Sequence, residues 1–191
     1  MFTDPNPYFS VPHPFTVYLN DWPSDAALPS ELELKAMQSI GLQLLSEVKS
    51  LEASCLVQLR HLDNDAKSVM EYLRLQSRKI DLVLQHVLES ETQEGDKYSG
   101  VKFGGSGIEF LSSAPFETGK TFKTTLYIRD ELVAILCMAQ VSQCVPNPDN
   151  AHQYLVELSF SQIIDEDVEH LVKASLSVQQ KLLKQRKLAK G

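Results

Sequence analysis

The sequence predicts a mixed α+β chain. A small six-stranded antiparallel β-barrel carries an inserted segment of long heptad-bearing helices and ends in a C-terminal helix. Three observations carry this reading. Short runs with period-two alternation follow one another from about residue 97 to 160. A proline-free stretch from Ser30 to about Ser90 spaces its apolar residues by threes and fours. A proline-rich lead-in encloses one further β-like run, FTVYL, at 15–19. Alternation marks half-buried strands, and three-four spacing marks one face of a helix.

Composition bounds the class. The chain has 191 residues, which suits one domain with an elaboration or two small ones. Apolar residues make up 43% and charged residues 23%, ordinary values for a globular chain. A net charge of -7 disfavours general nucleic-acid binding, which rests on neutralising phosphates. Cys55, Cys137 and Cys144 are odd in number and form no CxxC pair. They are expected as free thiols in a reducing compartment, with neither a disulfide framework nor a structural zinc site. The start, MFTDPNPYFSVPHPF, has no basic and no apolar region of a signal peptide. There is no 18-residue apolar run, so no membrane span is expected and a cytoplasmic location follows.

In chain order, the first 29 residues hold six of the nine prolines and one strand, 15–19, ending before Asn20 and Asp21. Trp22 is expected to pack. Pro29 or Ser30 opens a helix, with Glu31 and Glu33 favourable in its first turn. The apolar stripe then runs Val48, Leu51, Cys55, Leu59, Leu62, Ala66, Val69, Leu73, Gln76, Ile80, Val83 and Val87. From Leu59 its three-four alternation lasts four heptads, with Gln76 the polar flaw. Consecutive steps of four around Cys55 make a stutter. Asp63-Asn64-Asp65 is alternatively a turn and a new cap. Two helices, about 30–61 and 64–90, or one long bent helix both fit. The second alone would be roughly 40 Å long, awkward to bury against a small domain. Tyr72, Leu75 and Leu82 widen the stripe. A self-associating bundle or coiled coil is favoured over an intramolecular hairpin, with two, three or four strands left open.

Period-two runs at 97–103, 107–112, 121–128, 132–144 and 153–160 supply five more strands. Turn signals separate them: Gly104-Gly105, Pro115 with Gly119, Arg129-Asp130-Glu131, and the run from Pro146 to Asn150. VAILCMAQV at 133–141 barely alternates, so that strand is expected to be buried on both faces. The tail, 165–189, is helical, with Asp165 as cap and Val168, Leu171, Ser175, Val178 and Leu182 at three-four spacing. Lys181, Lys184, Arg186, Lys187 and Lys190 carry the sign favoured at a helix C-terminus. Docking of this basic end on a membrane surface is a third functional option.

The order of elements resembles a PilZ domain. YFSVPHPFTVYL is similar to the family's first strand and its lead-in. GGSGIEFLSSAPFETGKTFKTTLYI is similar to its second hairpin, and QYLVELSFSQIIDEDVEHLVKAS to its last strand and C-terminal helix. The resemblance covers about 8–20 and 97–189, leaving 29–92 as an inserted oligomerisation segment. Such long helices resemble those of a non-canonical, oligomerising branch, which implies a tetramer. The family's usual ligand is cyclic di-GMP, held by an RxxxR arginine pair before the first strand and by a D/N-x-S-x-x-G turn. The resemblance further implies a bacterial setting in type IV pilus function, motility or cyclic di-GMP networks, with a protein partner that the sequence does not name.

Laid on this chain, the turn falls on KFGGSG. Gly107 matches the closing glycine, Gly104 replaces the serine, and Lys102 replaces the aspartate or asparagine. The arginine pair is absent, since no arginine precedes Arg60. Two phosphates favour fork-shaped guanidinium donors, and a guanine edge needs an acceptor that lysine lacks. KFGGSG therefore reads as a tight turn whose glycines permit positive φ and close strand approach. Strand-like GIEFL after it argues against a phosphate-binding loop that opens a helix. The alternative is a cyclic di-GMP receptor using Arg74, Arg78, Lys97 and Lys102. Arg74 and Arg78 have RxxxR spacing, but an ion pair with Glu71 or Asp81 beside the seam explains them more simply.

No catalytic constellation emerges, and neither a metal nor a cofactor is expected. His13, His61, His86, His152 and His170 are scattered, without HExxH or clustered Cys/His spacing. Neither His61 with Asp65 nor His86 with Ser90 makes a triad. Ser106 in GGSGI lacks the nucleophile-elbow register. The expected function is a non-catalytic signalling or scaffold protein that self-associates through its helices.

Overall fold

The structure, a computed structural model, describes residues 10–59 and 67–188. The elements in order are β1 (Ser10–Asp21), α1 (Glu31–Ala36), α2 (Ile40–Leu59), α3 (Lys67–Ser90), β2 (Asp96–Gly104), β3 (Gly107–Ser112), β4 (Thr121–Ile128), β5 (Val133–Asn147), β6 (Asn150–Gln162) and α4 (Asp165–Leu188). They form two compact units. Met37–Thr92 is one; the other joins the residues up to Ala36 with those from Gln93 onward.

The second unit is a closed six-stranded barrel in the order β1-β2-β3-β6-β5-β4, every neighbouring pair antiparallel. Alternate residues point inward, as the period-two pattern requires. Val17 and Leu19 of β1, Phe103 of β2, Phe110 of β3, Leu126 of β4, Ile135 of β5 and Leu158 of β6 share one buried core. Leu171, Ala174 and Val178 bring α4 into the same core. On β5, Ile135, Cys137, Ala139 and Val141 belong to that core, while Leu136 and Met138 are buried outside it. The lack of alternation in VAILCMAQV thus reflects burial on both faces.

Several strands outrun their predicted bounds. β1 spans 10–21, not 15–19, because Pro12 and Pro14 flank an irregularity in its pairing with β2. Missing N–H groups are tolerated at such a bulge. Pro146 likewise sits where the β5–β6 register shifts, so β5 continues to Asn147.

The stretch read as one or two helices contains three. A capping box starts α1: the Ser30 N–H and hydroxyl both donate to the Glu33 carboxylate, at 2.8 and 2.7 Å. α2 has its own cap, since the Ser39 hydroxyl accepts the Leu42 N–H at 3.2 Å. That second cap is why the helix breaks at 37–39. Leu62, Ala66, the side chain of Leu59 and the Asp63-Asn64-Asp65 turn lie outside the described residues.

α2 and α3 pack as an antiparallel pair. Glu91, just past α3, clasps the start of α2 by accepting the Ser39 hydroxyl and the Gly41 N–H, both at 2.7 Å. Midway, Lys49 reaches Asp81 at 2.8 Å, and further on the Ser77 hydroxyl donates to Glu52. The inward stripe is therefore Leu42, Leu45, Lys49 and Glu52 on α2, against Ser77, Asp81, Leu84 and Leu88 on α3. Its four leucines are buried.

Candidate functional site

Two places carry the sequence-based hypotheses: the Gly-rich turn between β2 and β3, and the helical stripe. At the turn, Lys102 pairs across the ladder with Glu109, and its ammonium lies 2.7 Å from that carboxylate. Glu109 in turn stands opposite Glu157 on β6. The outer wall beside the turn is thus a row of one lysine and two glutamates. A doubly anionic ligand would meet one cation already engaged, flanked by two carboxylates.

The glycines of the turn are buried, not laid open. The glycines with positive φ among the described residues are Gly95 and Gly119, so the expectation of positive φ in KFGGSG is not met. Close approach is met at Gly107, where an added Cβ would lie 2.2 Å from the Leu158 carbonyl oxygen. The Phe160 N–H donates to the Ser106 carbonyl at 3.0 Å, which carries the β3–β6 ladder one residue past Gly107. Sterics between neighbouring strands therefore account for this glycine.

The other basic candidates do not converge on the turn. Lys97 is exposed on β2, five residues and about 17 Å of strand from Lys102. Arg74 and Arg78 belong to the helical unit and are exposed on α3. At roughly 100° per residue they lie about 140–180° from the predicted seam, so they are not seam flanks. Asp81, expected as their ion-pair partner, is bound by Lys49.

The seam itself is left uncovered. Val69, Leu73, Ile80 and Val83 are 55%, 41%, 45% and 63% exposed, and Gln76 and Val87 are half-buried. The hairpin uses the neighbouring stripe, Ser77-Asp81-Leu84-Leu88, offset by one residue. α2 repeats the arrangement: Leu44, Val48, Leu51 and Cys55 form a second stripe beside its inward one, with Leu44, Leu51 and Cys55 exposed. On both helices the second stripe is rotated about 90° in the same sense from the inward stripe. In an antiparallel pair, equal rotations bring the two stripes onto one side. The hairpin therefore carries a continuous apolar face built from both helices, while Leu75 and Leu82 of α3, 59% and 60% exposed, lie about 120–140° away from it. The sequence reading followed the outward stripe alone and left the inward one untraced, because each keeps three-four spacing. The signal separating them was the acidic and basic pairing at Lys49, Glu52 and Asp81, which marks the inward one.

Other reactive groups are embedded in packing. Burial, and after it the Asp167 charge, pushes the Cys137 thiol well above its usual range. Cys144 accepts the Phe116 N–H at 3.3 Å. Asp167, in the first turn of α4, is buried with one carboxylate oxygen unpartnered and His170 at 3.8 Å from the other. Desolvation raises its pKa against the opposing pull of His170. His13 lies 3.8 Å from Asp130 and edge-on to Phe103. Among the described residues no group of acidic, His and Cys side chains is placed to hold a metal. No helix there is long and apolar enough to cross a membrane.

Neither a family model nor a curated protein matches the chain. Solved structures do. A pathogenic protein from Xanthomonas campestris, a tetrameric PilZ domain self-assembled through a helical bundle, aligns over 96% of this chain and 93% of its own at 14% identity and a TM-score of 0.56. The PilZ domain of YcgR from Escherichia coli, solved with c-di-GMP, aligns over 96% and 98% at 8% identity and a TM-score of 0.45. The motility inhibitor MotI/DgrA of Bacillus subtilis aligns over 48% and 45% at 17% identity and a TM-score of 0.42. The first of these likenesses, with the closed barrel and its C-terminal helix, defines the fold: this is a PilZ-like domain.

Proposed function

We propose that the chain is a non-catalytic PilZ-like scaffold that assembles with copies of itself through the apolar face of its helical hairpin and does not hold cyclic di-GMP in the family's usual way. The carrying observation is that face, with four seam residues of α3 each at least 41% exposed. Covering the exposed half of one such side chain is worth about 1 kcal/mol. Seven exposed residues from the two stripes would supply about 7 kcal/mol per hairpin before the costs of association. Contiguous apolar area of this size marks an interaction surface. The tetramer named for the Xanthomonas protein supports four copies joined at their helices.

The ligand half of the proposal rests on the missing arginine pair and on the Lys102-Glu109-Glu157 row. Action is through protein–protein contact in the cytoplasm of a bacterium, in type IV pilus, motility or cyclic di-GMP pathways. Leu73→Lys tests the assembly. Its side chain is partly exposed in the single chain, so the variant folds, while a charge in the seam splits the oligomer. Size-exclusion with light scattering should read a smaller species; an unchanged mass would overturn the proposal.

A further inference from the structure

α4 carries a second exposed surface that the assembly does not explain. Its inner face, Leu171, Ala174, Ser175 and Val178, is buried. Roughly opposite, Leu176 and Leu183 are 47% and 49% exposed and two turns apart on one line. Arg186 flanks that line on one side; Lys187 and Lys184 flank it on the other, all three exposed. From His170 to Leu188 there is no acidic residue, although the whole chain is at -7. Lys181 is held to Glu131 at 2.6 Å and so belongs to the barrel side.

We propose that this outward face of α4 docks on an anionic lipid surface. An exposed leucine line with cations gathered around its Leu183 end suits a headgroup boundary, where the apolar side chains sink and the long basic ones stay at the phosphates. A nucleic-acid duplex is the poorer fit. It would meet two leucines at the centre of the contact, and the rest of the acidic chain would repel it. A single face of this size binds weakly, and several copies in one assembly would bind by avidity.

The test is vesicle flotation of the full chain, with neutral phosphatidylcholine and with phosphatidylcholine containing phosphatidylserine. The protein should float only with the anionic vesicles, and high salt should release it. The triple change Lys184→Gln, Arg186→Gln and Lys187→Gln should weaken partition about a hundredfold, at about fivefold per cation. Leu183→Gln should weaken it several-fold. No flotation at low salt, or equal flotation of the triple variant, would overturn the proposal. So would a Leu183→Gln chain that floats like wild type while heparin strips both, since that marks an unspecific polyanion contact. Circular dichroism and oligomer mass of each variant establish that fold and assembly are retained.

Discussion

Gly107→Ala separates a glycine kept for packing from one kept for a ligand. In a strand with room, this change would stabilise by about 0.5–1 kcal/mol by restricting the unfolded chain. Here the new methyl would sit 2.2 Å from the Leu158 carbonyl oxygen. Ordinary contact needs about an ångström more, and the obstacle is backbone rather than a mobile side-chain end. β3 and β6 must part where Gly107 faces Ser159, and the bond from the Phe160 N–H to the Ser106 carbonyl lies next to that point. Losing one ladder bond costs about 1 kcal/mol, and the residual strain about 1–3 kcal/mol. Set against that gain, the net expectation is a loss of about 1–3.5 kcal/mol, a fall of roughly 3–13 °C in Tm for a chain of this size. Lys102→Ala, which removes a partly exposed ion pair, should change stability by less than about 1 kcal/mol. Thermal melts followed by circular dichroism read both. A Gly107→Ala protein that melts with wild type would refute the steric argument.

Three further outcomes follow from the same geometry. Glu91→Ala removes the carboxylate that holds the Ser39 hydroxyl and the Gly41 N–H, so hydrogen exchange at the start of α2 should speed up, for a loss of about 1–2 kcal/mol. Asp167 has a raised folded pKa, so its contribution favours folding fully below the unfolded value near 3.9 and is lost as pH rises through the folded one. Asp167→Asn should therefore raise Tm at neutral pH, with a gap that closes as pH falls toward about 4; a pH-independent difference would contradict this. Cys55 is exposed on the hairpin face and Cys137 is buried, so a thiol reagent should reach Cys55 at least about tenfold faster in the dissociated Leu73→Lys variant than in the assembled wild type, with Cys137 silent in both.

Much of the barrel was legible because its strands alternate and its turns carry Gly, Pro, Asn and Asp. The strand ends were not, since Pro12, Pro14 and Pro146 read as breakers until the bulges that accommodate them are visible. The helical periodicity was plain, yet spacing alone does not say which of two parallel stripes a helix turns inward. Only the cross-helix partners of Lys49 and Glu52 settle that, and those are long-range facts. The break at 37–39 was hidden because the gap itself holds no glycine or proline, and the one glycine beside it, Gly41, lies within α2. At the Gly-rich turn, the substitutions at Lys102 and Gly104 were readable from the resemblance. The opposing glutamates were not, because Glu109 and Glu157 meet only when β3 pairs with β6.

The central claim joins assembly to loss of the usual ligand site, and one measurement reaches both: sedimentation velocity of the wild-type chain over a range of micromolar concentrations, with and without cyclic di-GMP. The account predicts a discrete oligomer, four copies by the reading above, whose sedimentation coefficient does not move when the dinucleotide is added and whose boundary carries no bound nucleotide absorbance. A monomer at every concentration, or nucleotide travelling with the protein in fixed ratio, would contradict it.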